Sequence, residues 1–282
     1  MKDKILALPR SAKKYWGGFA PHPFLLAIAP MLSQRGYSLS QNLGEGQILT
    51  WSKVLFRENY AFISLLPGNM SKKDPSRFGV TPVLGVKSVA QRNVQTLLRT
   101  WECENLRPGS FVTEPEDDVI IFRAFLDWLS NRWTNEVSQP IVPLAGRWDR
   151  LDTNRAEDAA VDMISVLDHQ GEDFFSYIGS PEKLANALLD PYGFPGRREG
   201  EFLDVSPTGV KPEEYASVLL ARNGQVERAK QVIQESLQRI EKLVELKRAH
   251  EQDIYVQKCK IERYVRWIDS GSYLSDKIAV VV

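Results

Sequence analysis

The feature that most constrains the fold is a stripe of β-branched residues in the last quarter of the chain. Between Gln225 and Ser270, Val226, Ile233, Ile240, Ile254, Ile261 and Ile268 share one heptad position, and Lys247 fills the slot they leave. A seven-residue apolar repeat is the period of a helix lying along another helix. The fourth and fifth places of these heptads hold Ala229, Leu237, Leu243, Val244, Tyr264 and Val265, but His250, Glu251, Gln257 and Lys258 occupy them at the centre. The seam is therefore apolar at both ends and polar in the middle. As one unbroken helix it would run about 60 Å at ~1.5 Å per residue, beyond the roughly 45 to 50 Å breadth of a compact chain of this size. The pattern predicts either a projecting arm or a bend between Lys247 and Asp253. Burying a side chain of this size is worth about 1.5 to 3 kcal/mol, so the six residues are read as an interface. They join two copies of the chain in a homodimer, or close onto a partner. Lys247 to Asp253 holds neither Gly nor Pro, which favours the intermolecular seam over a hairpin.

The rest of the composition is that of an ordinary globular protein: 282 residues, 43% hydrophobic and 26% charged, enough for one sizeable core or two modest ones. Thirty-six basic residues balance thirty-six acidic ones, so no overall field draws the chain to nucleic acid or an anionic membrane. The charges are segregated nevertheless. Lys2 to Lys14 is basic, whereas Asp149 to Asp173 holds eight acids against Arg150 and Arg155. No stretch approaches the ~20 apolar residues of a membrane span, and Met1 to Pro23 has no apolar run of signal-peptide length. A cytoplasmic location is expected. Cys103 and Cys259 match no metal or redox spacing and are read as reduced thiols.

Read in order, His22-Pro23 opens an apolar helix through Phe24, Leu25, Ile28 and Leu32, with Pro30 as a kink and Gly36 as its end. Ile48 to Phe56 and Tyr60 to Leu66, broken at Glu58-Asn59, predict a β-hairpin with apolar residues on both faces. A third strand is expected over Phe78 to Val86, and helical spacing returns from Ser88 to Trp101. Thr113 and Glu116 form a Thr-x-x-Glu capping box for a helix through Val119, Phe122, Leu126, Leu129 and Trp133. A helix starting at Asn154 carries Ala159, Met163, Val166 and Leu167, and Ser180-Pro181 starts another. Pro191 to Gly209, rich in Pro, Gly and charge, is the expected linker. The fold class is therefore α+β, a small antiparallel sheet with packed helices over residues 1–195, followed by an all-helical tail over 210–282.

Within that tail, Tyr215 to Gly224 followed by Val226, Ala229 and Ile233 resembles a single tetratricopeptide repeat, with Leu220 and Ser236 at its bulky and small packing places. Glu241 stands where such a repeat ends in Pro, and no second copy follows. A lone repeat cannot cover its own face, so it must pack on another unit. The front of the chain resembles a bacterial domain family of unknown function. The resemblance rests on His22 to Leu26, Arg35-Gly36-Tyr37, the Trp51 hairpin, Phe78 to Val86, Trp148-Asp149, the acidic helix, Phe174-Phe175 and Ser180-Pro181-Glu182. It implies an α+β fold in a bacterial protein and supplies no catalytic residues.

Catalytic spacings are sparse. Asp168-His169-Gln170-Gly171-Glu172-Asp173 could supply oxygen and imidazole ligands to a divalent ion in a metal-dependent hydrolase. His169 near a helix C-terminus, with solvated carboxylates around it, explains the same run without a metal. Gly17-Gly18 and Gly44-Glu45-Gly46 lack the spacing of a phosphate loop, and the serines lack a nucleophile elbow. Nucleic acid is the third reading, because Lys258, Lys260, Arg263 and Arg266 interleave with Tyr255, Tyr264 and Trp267. Glu251, Asp253 and Glu262 interrupt that basic face. The reading the sequence favours is a non-enzymatic bacterial protein, immunity- or adaptor-like, with no cofactor, metal or catalytic residue. It binds another protein through the acidic face carrying Asp158, Asp162, Asp168, Glu172 and Asp173, where opposite charge speeds association.

Overall fold

The computed structural model describes residues 22–39, 48–67, 76–89, 94, 119–126, 129, 147–148, 151–190, 204–205, 212–245 and 251–274. The fold is α+β, followed by helices. Its strands are β1 (Ser38–Leu39), β2 (Leu49–Phe56), β3 (Asn59–Pro67), β4 (Arg77–Phe78), β5 (Val80–Ser88), β6 (Val119–Phe125), β7 (Leu151–Asp152) and β8 (Asp204–Val205). Six form one sheet in the order β1-β2-β3-β5-β6-β8, and β4 pairs with β7. The chain divides into two discontinuous units. One comprises residues 1–86, 123–177 and 195–204, and the other residues 87–122, 178–194 and 205–282.

The first unit begins with α1 (Pro23–Gln34). His22 caps it, Nδ1 accepting the Phe24 amide at 3.2 Å, and Pro23 follows where a missing amide costs nothing. Phe24, Leu25, Ile28, Ala29 and Leu32 form its buried face. Gly36, at φ +79°, ends it. The Gly36 amide donates to Ser33 O and the Tyr37 amide to Leu32 O, at 3.0 and 3.1 Å, a paired closure that needs the left-handed backbone glycine adopts freely. The expected hairpin is β2 and β3, antiparallel, with Trp51 opposite Ile63 and Thr50 opposite Ser64. Leu39 on β1 also opposes Trp51, so Leu39, Trp51 and Ile63 share one buried face.

The long chain segment over that face is α2 (Ala156–Val166), a π turn at Leu167–Gly171 and α3 (Glu172–Tyr177). Asp152 starts it, accepting the Asn154 amide at 2.9 Å ahead of a 3₁₀ turn at Thr153–Arg155. Ala156, Ala159, Ala160, Met163, Ile164 and Val166 are buried along α2, which packs against α1.

The second unit contains α4 (Pro181–Leu189), α5 (Pro212–Arg222), α6 (Val226–Glu245) and α7 (Glu251–Asp269). Ser180 caps α4 through the Lys183 amide, as its sequence implied. Every residue of α5 from Glu214 to Ala221 is buried, making it the central helix. It closes at Gly224, φ +82°, with Gly224 N–H donating to Ala221 O and Gln225 N–H to Leu220 O. The expected helix–glycine–helix of Tyr215 to Ile233 is formed, and Tyr215, Leu220, Ala229, Ile233 and Ser236 are buried in it.

Four expectations are corrected. Val119–Phe125 is a strand, not part of a helix. Val119 to Phe122 satisfies the helical spacing and also has the β-branched and aromatic content of a strand, and a place in the sheet decides between them. Thr113, Glu116 and Trp133 lie outside the described residues, as do all but Ser88, Val89 and Val94 of the Ser88 to Trp101 helix. The third strand runs Val80–Ser88, while Arg77–Phe78 pairs instead with Leu151–Asp152 in the small sheet. The division at 195/210 is replaced, because α4 packs on α5 and belongs with the tail, and Asp204–Val205, inside the expected linker, is a strand of the sheet. Of the expected linker, Pro191 to Gly209, only Asp204 and Val205 lie within the described residues.

The fourth correction concerns the heptad stripe. It is carried by two helices, α6 and α7, which pack against each other. They are antiparallel, since Lys230 near the start of α6 pairs with Asp269 at the end of α7 at 2.6 Å. Ile233, Ile261 and Ile268 are 0%, 2% and 2% exposed within a single chain, so they are not free to form an interface with a second copy. Val226 is half-buried, and the side chains of Ile240 and Ile254 lie outside what is described. The two apolar halves of the stripe therefore lie on two antiparallel helices of one chain, and Lys247 to His250 lie outside the described residues.

Two consequences are measurable. Ile261→Ala should lower the free energy of unfolding by about 2 to 5 kcal/mol in urea titration, while the mass seen by light scattering matches that of wild type. Burial holds the His22 imidazole below its ordinary value of 6.5, so its neutral form is favoured by folding. The stability it contributes is present above pH 6.5 and is lost as the pH falls from there towards the lowered value. His22→Asn keeps an acceptor for the Phe24 amide and should flatten the stability profile below pH 6.5.

Candidate functional site

The acidic residues singled out by sequence lie along α2, the π turn and α3, and the first unit supplies each of three carboxylates with a cation. Asp162 receives both Nε and Nη2 of Arg147, at 2.9 and 2.6 Å, and the Trp148 indole N–H at 3.0 Å. Asp168 receives Nε and Nη2 of Arg35 in a two-pronged pair. Arg35 also donates Nη1 to Met31 O at 3.0 Å, tying itself to the last turn of α1. Glu172 receives Lys53 Nζ at 3.2 Å. A planar guanidinium across a carboxylate makes two parallel hydrogen bonds, which fixes geometry as well as charge.

The cations are themselves positioned. Lys53 lies two places beyond Trp51 on β2, hence on the same face of the sheet. Its ammonium stands 4.5 Å from the centre of the Tyr37 ring and 5.9 Å from that of Phe175. Arg147 stacks over Trp148, which is fully buried and whose carbonyl accepts the Val80 amide at 2.9 Å. The Arg35 guanidinium, by hydrogen bonding and charge, holds Asp168 below its ordinary value. At Asp162, partial burial pushes the carboxyl up, but the Arg147 hydrogen bonds and charge and the Trp148 N–H outweigh it, leaving it lowered. Burial, followed by the charges of Glu172 and Asp168, pushes the Tyr37 phenol far up, so it stays protonated.

The remaining two residues of the expected set are looser. Among the described residues Asp158 meets Arg155, one turn away at 3.6 Å, with both side chains more than 70% exposed. Asp173 is exposed at the start of α3. The face is thus less acidic than the sequence implied, because the cations that offset it come from Arg35, Lys53 and Arg147, outside the acidic run. Pairing of this kind joins positions 133 and 119 residues apart, for which no local sequence signal exists.

The residues of the metal-hydrolase alternative are engaged elsewhere. Asp168 faces Arg35, His169 turns its Nδ1 to Ser165 O at 2.6 Å in its own helix, and among the described residues no three His, Cys, Asp or Glu side chains converge as a ligand set. The nucleic-acid alternative loses its stacking residues, since Tyr264 and Trp267 are buried in the helical unit and only Tyr255 is exposed.

No family model, characterised protein or solved structure matches this chain. Its site is therefore read from its own geometry.

The two lowered carboxylates set an acid limit. Their stabilisation is present above the ordinary value of 3.8 and is lost as the pH falls through the lower values they take in the fold. Asp162→Asn combined with Asp168→Asn should therefore reduce stability at pH 7 and shrink the loss below pH 3.8, read by thermal melts from neutral pH into acid. An acid limb as steep as that of wild type would show that the pairs do not carry it.

Proposed function

We propose that the protein is a bacterial, cytoplasmic, non-enzymatic binding protein of the immunity or adaptor kind. It takes a partner protein with a basic surface on the outer face of α2, the π turn and α3. The observation that carries this reading is the prior fixing of Asp162, Asp168 and Glu172 by Arg147, Arg35 and Lys53. Side chains already held by their own chain lose little freedom when a partner docks, which removes part of the ordinary cost of association. Around them Glu157, Asp158 and Asp173 stand exposed and offer the excess negative charge, and Val161, 53% exposed, offers an apolar contact within the same face. Opposite charge then raises the association rate, and the fixed pairs set register.

Association through the α6–α7 stripe is not part of this reading, because the stripe is largely covered within the chain. Among the described residues no helix is long and apolar enough to cross a membrane.

The test is affinity capture from the native host, read by mass spectrometry, with wild type beside Asp158→Lys combined with Asp173→Lys. The expected result is a basic protein retained by wild type at low salt and lost from the double variant. Equal retention by both would remove this face from the reading, and stoichiometric Zn, Mn or Fe in the purified protein would overturn its non-enzymatic character.

A further inference from the structure

The helix from Ala156 to Tyr177 contains an extra residue. At Leu167–Gly171 the Glu172 amide reaches back five places to Leu167 O, and shares its hydrogen with His169 O. A π turn of this kind is an insertion into an α-helix, is rarely favoured by the backbone alone, and recurs at functional positions. Here it is held from outside: Arg35 takes Asp168 within the turn, and Lys53 takes Glu172 immediately after it.

The arrangement also leaves polar atoms unanswered. Among the described residues Tyr37, 1% exposed, has no hydrogen-bond partner for its hydroxyl, and the side-chain oxygen of Gln170, inside the π turn, has none either. Buried polar atoms of this kind favour any alternative in which they find partners or water. Gly171 adds a weak point. A Cβ there would stand 2.6 Å from Leu167 Cδ1 and 3.4 Å from Leu84 Cδ1, so the close turn is built on a residue that commits the helix least.

We propose that Leu167–Gly171 is a register switch in which the extra residue moves between this turn and the last turn of α2, with Arg35 as the latch that selects the register described. Moving it one turn earlier re-aims Asp168, His169 and Gln170 by about 100° around the helix axis, while Phe174, Phe175 and the Lys53–Glu172 pair keep their places. Gln170 leaves its burial and Asp168 leaves Arg35. Such a shift is a change between two discrete packings of one element rather than general loosening. The switch is a property of the free chain. Its coupling to a basic partner that competes for Asp168 rests on the binding reading above.

Amide hydrogen exchange on the free full-length protein, read by mass spectrometry, tests it without any partner. Arg35→Met should speed exchange in the Met163–Glu172 region by about tenfold or more, leaving Pro23–Gln34 and Leu49–Pro67 at wild-type rates. Arg35→Lys should give a smaller increase, and Lys53→Met little in that region. Deleting His169 removes the extra residue, so exchange there should become insensitive to Arg35→Met. Unchanged exchange in Arg35→Met, or an equal rise across the whole first unit, would overturn the switch. Failure of the deletion variant to fold would leave the comparison of Arg35→Met, Arg35→Lys and Lys53→Met to decide it. Either result leaves the capture experiment free to succeed or fail on its own.

Discussion

The first unit depends on how one helical segment is seated on one face of the hairpin sheet. Trp51, Leu39 and Ile63 make that face apolar, and Lys53 puts a charge on it between the Tyr37 and Phe175 rings. An ammonium held against aromatic faces loses some hydration and gains attraction from the ring quadrupoles. It still needs an anion, and Glu172 supplies one. The requirement fixes where α3 begins along the segment. Phe174 and Phe175, two and three places on, then pack in the core with their rings 5.3 Å apart. A shift by one residue would put Gly171 or Asp173 in the place of Glu172 and turn both rings by about 100° around the helix axis. The π turn is the geometry that lets α2 keep its alanine-rich face on α1 while α3 meets Lys53.

What was legible in the sequence was what neighbours along the chain decide. His22-Pro23 before an apolar run, Gly36 and Gly224 after one, and Ser180-Pro181 each specify a helix end through atoms a few residues apart, and each is found in place. The β2–β3 hairpin was legible for the same reason, although the turn falls at Arg57-Glu58, where Arg57 takes φ 44°. Val119 to Phe122 was misread because four residues suit both periods, so local preference does not settle them. The unit boundary was misread because it follows contacts: α4 lies before a Pro- and Gly-rich stretch in sequence yet packs on α5 after it.

The candidate site shows the same division more sharply. The carboxylates were visible as a run, and so was their helical phase. Their partners were not, since Arg35 follows a helix more than a hundred residues upstream and Lys53 is an unremarkable strand lysine until the pleat aims it. A count of charges along a segment therefore overstated the field that segment presents. Exposed ion pairs add little to stability, about 0 to 1 kcal/mol in the median case, and their larger effect here is to hold long side chains in one arrangement.

The heptad stripe illustrates why a strong periodic signal can still mislead about assembly. A seven-residue apolar repeat states that a helix lies along a helix, and it is silent on whether the second helix belongs to the same chain. Two further facts decide it. The stripe is divided between two helices, α6 described to Glu245 and α7 from Glu251, and its polar centre stands between its two apolar halves. The outer charges agree with a hairpin, because Lys230 and Asp269, which stand far apart on a continuous helix, meet at 2.6 Å. Absence of Gly and Pro from the intervening residues had argued for continuity. That weight was misplaced: a local preference for helix over a few residues yields when burying Ile233, Ile261, Ile268 and Trp267 depends on reversing the chain. Each such side chain is worth about 1.5 to 3 kcal/mol, against roughly 1 to 2 kcal/mol of backbone entropy for each residue fixed in a reversal.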